Sequence, residues 1–431
     1  MTTNSFVTWG TLTRRERQKV ILLSVWFFLT IATLWVLKPI RNASLLAHLG
    51  AAELPYVRLA TVVVVGLVVA AYSHVVDRLT RVNVARAACL AFAAVLVVFW
   101  AALLARGEAL GAQRWFVWSV FILVDIYSTV MVGIFWTYTN DVVTPAEADR
   151  LYGPIGVGGT IGGIAGGAAV DSLVRLTGPV NMLLVSAGLC LGCAALVWVG
   201  DRWLHPSPRT IDRTPAAAHG MAAATQGLRE VLASRYLLLI VGVVVCYEFA
   251  AAMTDFVVNV VFERAFSSEV QLAQMFGRLG WIVSLTAMIS QLLLVPLILP
   301  AKRAALLIPP VAMGLATIGL SIVPIVGVAI LLSAADRGLN YSLQQATKET
   351  LYVPLTDGQK YKGKAVIDMF VDRLGKALSA IALIAVVAWS GVSIPILLAV
   401  ALGAILIWVL CANQLGRTYA QRAARRIRNA A

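Results

Sequence analysis

Charged side chains are scarce in this chain: they make up 13% of its 431 residues, against 60% apolar. Soluble domains carry about a quarter charged residues, so the two or three soluble domains that the length would allow are excluded. Mean hydropathy is +0.84, and a spanning helix takes ~20 apolar residues, so the chain reads as an all-α membrane protein with room for about a dozen helices and little else. Histidine is nearly missing, with 4 scattered copies. There is no HExxH, no Ser–His–Asp candidate set and no cluster of metal ligands, which argues against a membrane-embedded enzyme and implies no cofactor. The five cysteines, Cys89, Cys190, Cys193, Cys246 and Cys411, all lie in apolar stretches and imply no disulfide framework. The Cys190–Cys193 CxxC has no second pair and no nearby histidine, so it reads as packing. Acidic residues are also few, 21 against 35 basic, for a net charge of +14. In a soluble chain that excess would suggest nucleic acid; here basic loops beside a lipid bilayer account for it, and no nucleic-acid partner is expected.

What is abundant is long apolar runs, at about 19–40, 55–76, 84–105, 115–139, 154–174 and 179–200, then 236–262, 273–299, 304–323, 325–346, 366–389 and 392–412. This is twelve transmembrane helices in a 6+6 arrangement. The expected organisation is an N-terminal six-helix bundle over 1–200, a cytoplasmic linker over 201–235 and a C-terminal bundle with a basic tail over 236–431. The first run is long and contains Lys38, with no small-residue cleavage site after it, so it reads as a retained helix. Basic residues gather in alternate connections: Arg14, Arg15, Arg17 and Lys19, then Arg81 and Arg86, then Lys302 and Arg303, then Arg417 and Arg422. The positive-inside rule then predicts a multi-pass inner-membrane protein with both termini cytoplasmic.

The two halves are offset by about 210 residues, and intramembrane charges obey the offset: Lys38 and Glu248 are 210 apart, Asp125 and Asp336 are 211 apart. Six helices per half make the repeats parallel. A charge at the bilayer centre costs at least ~2.5–3.5 kcal/mol, so Lys38, Asp125, Glu248, Asp336 and Arg337 are expected to line a wet cavity or to pair across helices. Asp368, Asp372 and Lys376 recur every four residues and share one helical face, which either lines the cavity or braces helix 10. Lys348, Lys360, Lys362 and Lys364 read as positive-inside markers or as attraction for an anionic substrate at the cytoplasmic mouth.

Two glycine patterns need separate readings. Gly358 to Ala365 matches GxxxxGK but has Ala where a P-loop needs Ser or Thr, and no strand precedes it. Transport would therefore be driven by gradients or exchange. Between Gly153 and Gly167, glycines recur at i and i+4, which predicts close approach of helix 5 to another backbone. The stretch Ser73 to Arg81, with Asp77-Arg78, resembles the GxxxDRxGRR element of major facilitator transporters.

A more specific resemblance lies in three blocks: Lys38-Pro-Ile-Arg41-Asn42; Phe135-Trp136 through Asn140-Asp141 to Glu147 and Tyr152-Gly-Pro-Ile-Gly156; and Tyr341-Ser-Leu, Lys348-Glu349, Tyr352-Val-Pro-Leu355, Lys362-Gly-Lys364-Ala-Val-Ile-Asp368 and Leu374-Gly-Lys376. Together they resemble the ATP/ADP translocase family of plastids and intracellular bacteria. The resemblance implies a major facilitator-like fold that exchanges nucleotides, with substrate-important charges at Lys38, at Asp125 (Glu in the family pattern), at Glu248 and at one of Lys348, Lys362, Lys364 and Lys376. The expected function is thus a monomeric secondary transporter of a nucleotide or related phosphorylated anion. The alternatives are a metabolite or drug exporter of the same superfamily and a non-transporting scaffold. Lys38, Arg41 and Arg337 would offer charge to phosphates; Tyr127, Trp136, Tyr247 and Tyr341 could stack on a base; Asp125, Glu248 and Asp336 would hold the cations in the empty carrier.

Overall fold

The computed structural model describes residues 12–76, 80–204, 228–353, 355, 359 and 363–430, and among them there is helix and no strand. In chain order the long helices are α1 (Arg14–His48), α2 (Leu54–Val76), α3 (Arg81–Arg106) and α4 (Arg114–Val142). Next comes a helical stretch, Pro145–Leu204, that breaks at Gly178, where φ is +76° and Pro179 follows. It gives α5 (145–177) and α6 (179–204). The second half runs α7 (Arg235–Ala265), α8 (Glu269–Ile298), α9 (Lys302–Ile322), α10 (326–351), α11 (364–390) and α12 (Ile394–Ala430).

Ten helices among the described residues are individually long and apolar enough to cross a membrane, against the twelve expected. The difference falls at two places. α5 and α6 run together through Gly178, and α10 is broken into short pieces by π turns at Ala334–Gly338 and Asn340–Gln344. Of the linker expected over 201–235, residues 205–227 lie outside the described residues, as does the Asp77-Arg78 pair.

Contacts gather the chain into two compact units. One holds Met1–Gly50, Val63–Thr210 and Phe266–Ser284; the other holds Ala51–Val62, Ile211–Ala265 and Leu285–Ala431. The first part of α2 and the first half of α8 thus depart from the simple division by halves. Side chains explain both: Arg58 of α2 pairs with Asp255 of α7, while Gln274, Arg278 and Trp281 of α8 bond Asp171 of α5.

In the first unit α1 starts with a capping box, Thr13 with Glu16, and Glu16 also pairs with Arg150 at 2.7 Å. The predicted glycine stripe lies on α1: a Cβ on Gly158, Gly162 or Gly166 would stand 2.5, 2.3 or 2.5 Å from the carbonyl oxygens of Ser24, Phe28 and Ala32. These three carbonyls are one turn apart, so the two helices touch backbone to backbone over two turns. Gly167 meets Gly277 and Trp281 of α8 in the same way. Trp26, Phe27, Phe135 and Tyr138 fill the core beside this seam with edge and stacked ring contacts, and Cys89, Cys190 and Cys193 are free thiols buried in it.

The second unit is built differently. Besides the two in α10 it has π turns at Ser290–Leu294 in α8 and Ile367–Val371 in α11. The turns of α8 and α10 meet: Ser342 Oγ lies 2.7 Å from Ser290 Oγ and 2.8 Å from the Gly338 carbonyl, and Gly338 packs on Thr286.

Candidate functional site

In the first unit α1 carries Trp35, Lys38 and Arg41 at three-residue steps, and Pro39 removes one backbone donor among them. Arg41 Nη1 is 2.5 Å from Asp125 Oδ1 of α4 and donates to the Phe121 carbonyl at 3.2 Å, with its guanidinium 4.1 Å from the centre of the Phe121 ring. Its Nε is buried and has no hydrogen-bond partner among the described residues, so the guanidinium keeps a donor uncommitted. The Lys38 ammonium sits 5.2 Å from the centre of the Trp35 ring. That indole is fixed in turn, because Gly163 and Gly280 both lie against it, leaving no room for a Cβ at Gly280. The sequence picks out Lys38, Arg41 and Asp125 singly; the structure makes Arg41 and Asp125 a pair.

The aromatic candidates of this unit divide. Trp136 is half-buried and packs edge-on to Phe27 and to Tyr152. Tyr127 is 0% exposed, and its hydroxyl donates to the Thr30 carbonyl at 3.1 Å, inside the core with Cys190 and Phe92. Two residues beyond Asp125 on a helix is the opposite side, which is why Tyr127 faces packing here and not the charged set.

In the second unit eight sequence candidates, Tyr247, Glu248, Asp336, Tyr341, Lys348, Asp368, Asp372 and Lys376, come together in and around one cluster. Glu248 of α7 has Lys376 and Asp372 of α11 and Lys348 of α10 as its charged neighbours. Gly375 leaves room for it, since a Cβ there would be 3.3 Å from Glu248 Cγ. Lys348 pairs with Asp368 at 2.7 Å, and Lys376 with Asp372 at 2.7 Å. Asp368 thus pairs across to α10, whereas Asp372 pairs within α11. Lys376 keeps 51% of its side chain exposed. Asp336 is buried beside the Tyr247 hydroxyl and Glu248, while Tyr341 is 49% exposed and neighbours both Tyr247 and Lys376. Arg337 points to Asp255. Lys364 stands apart from the Glu248 cluster's pairs: it bonds Glu349 at 2.5 Å and lies over the Tyr352 ring. Gly358, Lys360 and Lys362 lie outside the described residues.

Sequence reasoning missed Asp255 and its partner Arg58. Asp255 accepts from both Arg58 and Arg337. A signal was present: Asp255 is a second carboxylate in the apolar run of α7, seven residues after Glu248 and so on nearly the same face. In the first turn of α5 Glu147 pairs with Lys19 at 2.8 Å. Partial burial acts to raise its carboxyl, but the bonds from the Lys19 ammonium and the Thr144 amide outweigh this and hold it below its ordinary value.

With this geometry in place, comparison with known proteins is informative. The sequence model of the family described as TLC ATP/ADP transporter matches residues 102–326 and 316–419. "ADP,ATP carrier protein 1" of Chlamydia trachomatis serovar D is 22% identical, over 71% of this chain and 66% of its own length. "ADP,ATP carrier protein 1, chloroplastic" of Arabidopsis thaliana is 24% identical, over 62% of this chain and 48% of its own. The chain thus spans just under two thirds of the first of these relatives and about half of the second. Among solved structures, a bacterial homologue of the iron transporter ferroportin in an inward-facing state superposes with a TM-score of 0.65 at 13% identity, covering 93% of this chain and 99% of that one. The nucleoside transporter NupG does so with a TM-score of 0.56 at 15% identity, covering 95% and 99%. At such identities the likeness is one of fold alone, an all-helical arrangement shared with these structures.

Proposed function

We propose that this chain, which belongs to the TLC ATP/ADP transporter family, is a monomeric secondary carrier that exchanges nucleotides, or closely related phosphorylated anions, across a cytoplasmic membrane. The names of its relatives favour ATP and ADP as the substrate class, and its basic connections are read as facing the cytoplasm. The observation that carries the reading is the alternation of acid and base within each unit. Arg41 with Asp125, and Lys348 and Lys376 with Asp368, Asp372 and Glu248, keep basic groups ready in apolar helices without leaving them uncompensated.

The chemistry follows from that balance. Within each unit a polyanion accepts charge-assisted hydrogen bonds from the cations there, Lys38 and Arg41 in the first and Lys376 in the second, and the acids paired with Arg41 and Lys376 lose those partners to it. When the anion leaves, the acids re-pair with the bases. The re-paired ions lock the empty carrier, so a loaded carrier returns faster than an empty one, and that asymmetry produces exchange. Trp136, Tyr247 and Tyr341 are the aromatic faces available to a base.

The test is counter-exchange in proteoliposomes. Efflux of preloaded labelled ADP is expected to speed up when ATP is added outside, and an imposed pH gradient alone is expected to do little. Failure of every nucleotide to exchange, with pH-driven movement of an unrelated metabolite, would favour the exporter.

A further inference from the structure

The apolar stripe of α12 passes into arginine at its far end. Leu406 and Leu410 are 61% and 56% exposed in a helix long and apolar enough to cross a membrane, so they mark the side of α12 that meets lipid tails. Arg417, also exposed, comes eleven residues after the first and seven after the second, which puts it on that same side, about 10 Å beyond Leu410 along the axis. At that depth tails give way to head groups. A helical side chain leans over the turn before its own, so Arg417 reaches back towards Asn413.

A second guanidinium is already held there. Arg303, in the first turn of α9, donates from Nε to Asn413 Oδ1 at 2.9 Å, which leaves its two Nη groups without a hydrogen-bond partner among the described residues. Gly416 lets the helices meet this closely, since a Cβ on it would stand 3.1 Å from both Cβ and Cγ of Arg303. Neither arginine is paired with an acidic side chain among the described residues. α9 also starts at Ala301 without a side-chain cap, so its first amides add to the positive field. The far end of α12 is held in place from its other side: the Arg422 guanidinium lies 4.7 Å from the centre of the Tyr236 ring of α7, and the Tyr236 hydroxyl donates to the Leu351 carbonyl at 2.8 Å.

We propose that Arg303 and Arg417 bind the phosphodiester head group of an anionic phospholipid whose acyl chain lies along Leu406 and Leu410. The phosphate accepts charge-assisted bonds from the Nη groups of Arg303 and from Arg417. Two uncompensated cations disfavour a head group that carries its own ammonium, so the site selects anionic over zwitterionic lipid. The bound lipid ties the start of α9 to the end of α12 and thereby stabilises the second unit. The site is independent of what the carrier transports.

The test is a titration of the purified full-length carrier in neutral detergent with phosphatidylglycerol, phosphatidylcholine, inorganic phosphate and ATP in parallel, read as the melting temperature. In wild type, phosphatidylglycerol is expected to raise it at lower concentration than phosphatidylcholine. The half-maximal concentration is expected to rise roughly fivefold in Arg303→Gln and again in Arg417→Gln, at ~1 kcal/mol per arginine beside an anionic head group. Arg235→Gln, which removes the same charge from the start of α7, is expected to leave it unchanged. No preference for phosphatidylglycerol in wild type overturns the proposal, and so does an equal loss in Arg235→Gln, which would make the effect one of overall charge. If the two arginine variants lose a response to phosphate or ATP and keep that to phosphatidylglycerol, the pair serves a soluble anion and the lipid assignment is overturned. Should Arg303→Gln fail to fold, Arg417→Gln decides alone, because that side chain is exposed; unchanged phosphatidylglycerol affinity there overturns the proposal.

Discussion

The two units solve the same problem, holding charged side chains inside apolar helices, with different kinds of rigidity. The first unit is a backbone joint. α1 and α5 meet along Gly158, Gly162 and Gly166 with no side chains between them, and the charged residues of α1 sit on a stiff support through Trp35. The second unit has its helices interrupted instead, with π turns in α8, α10 and α11, and its candidate residues ride on those turns: Asp336 and Arg337 in one, Tyr341 in the next, Asp368 in a third. Among the described residues the first unit has none. π turns are rare and concentrate at functional sites because they re-aim side chains at some cost in regularity. The difference teaches that close packing fixes the helix that carries Lys38 and Arg41, whereas local winding aims Asp336, Arg337 and Asp368; ion pairs hold charges in both units.

The contrast can be broken most severely at the joint. Gly162→Val should cost about 3 kcal/mol or more, because the obstacle is the Phe28 carbonyl, which cannot turn aside; loss of a monodisperse peak in size-exclusion chromatography would register it. Gly338→Val should be milder, since its nearest obstacle is the Thr286 side chain, and Gly156→Ala, with nothing within 4 Å, should be neutral or slightly stabilising. Equal melting temperatures for the Gly162 and Gly338 variants would remove the distinction between the units. Next in size, Lys38→Gln and Lys376→Gln should each lower nucleotide affinity roughly ten- to hundredfold, at ~1.5–3 kcal/mol per charged hydrogen bond, in direct titration. Lys302→Gln serves as the control and should leave affinity unchanged.

The smallest effect is the pH dependence of the first unit at its edge. Since Glu147 has its carboxyl held below 4.5, its contribution is complete above that value and is lost as pH falls through the lower, folded one. Thermal melts of wild type should therefore lose stability on acidification below about 4.5, and Glu147→Gln should show a shallower loss over the same range.

Much of this was readable in the chain. Helices declare themselves by apolar length, and Glu248, Asp336 and Lys376 stand out because charge is conspicuous in such a setting. The glycine stripe was readable too, since spacing at i and i+4 has one physical use. Asp255 and Arg58 escaped notice because each looks like a residue near the end of an apolar run, and only folding brings them to Arg337. Tyr127 shows the opposite error, an aromatic next to a key acid in sequence but turned to the core. The assignment of the first part of α2 and of α8 to units other than their own halves was not legible, because counting helices says nothing about which of them touch.

The doubled π turn of α10 also bears on how this chain should be lined up with its relatives. A π turn takes up about one residue more than an α turn, and each extra residue rotates everything after it by about 100°. Lys348 meets Asp368 because two such insertions lie between it and Ser333. A homologue one residue shorter in this interval would heal one turn into plain helix, keep its span, and present a different side chain to α11. Alignment by identity would then equate residues that point in different directions, so the lysine that answers to Lys348 in such a homologue has to be found by angle around the helix and not by counting along it.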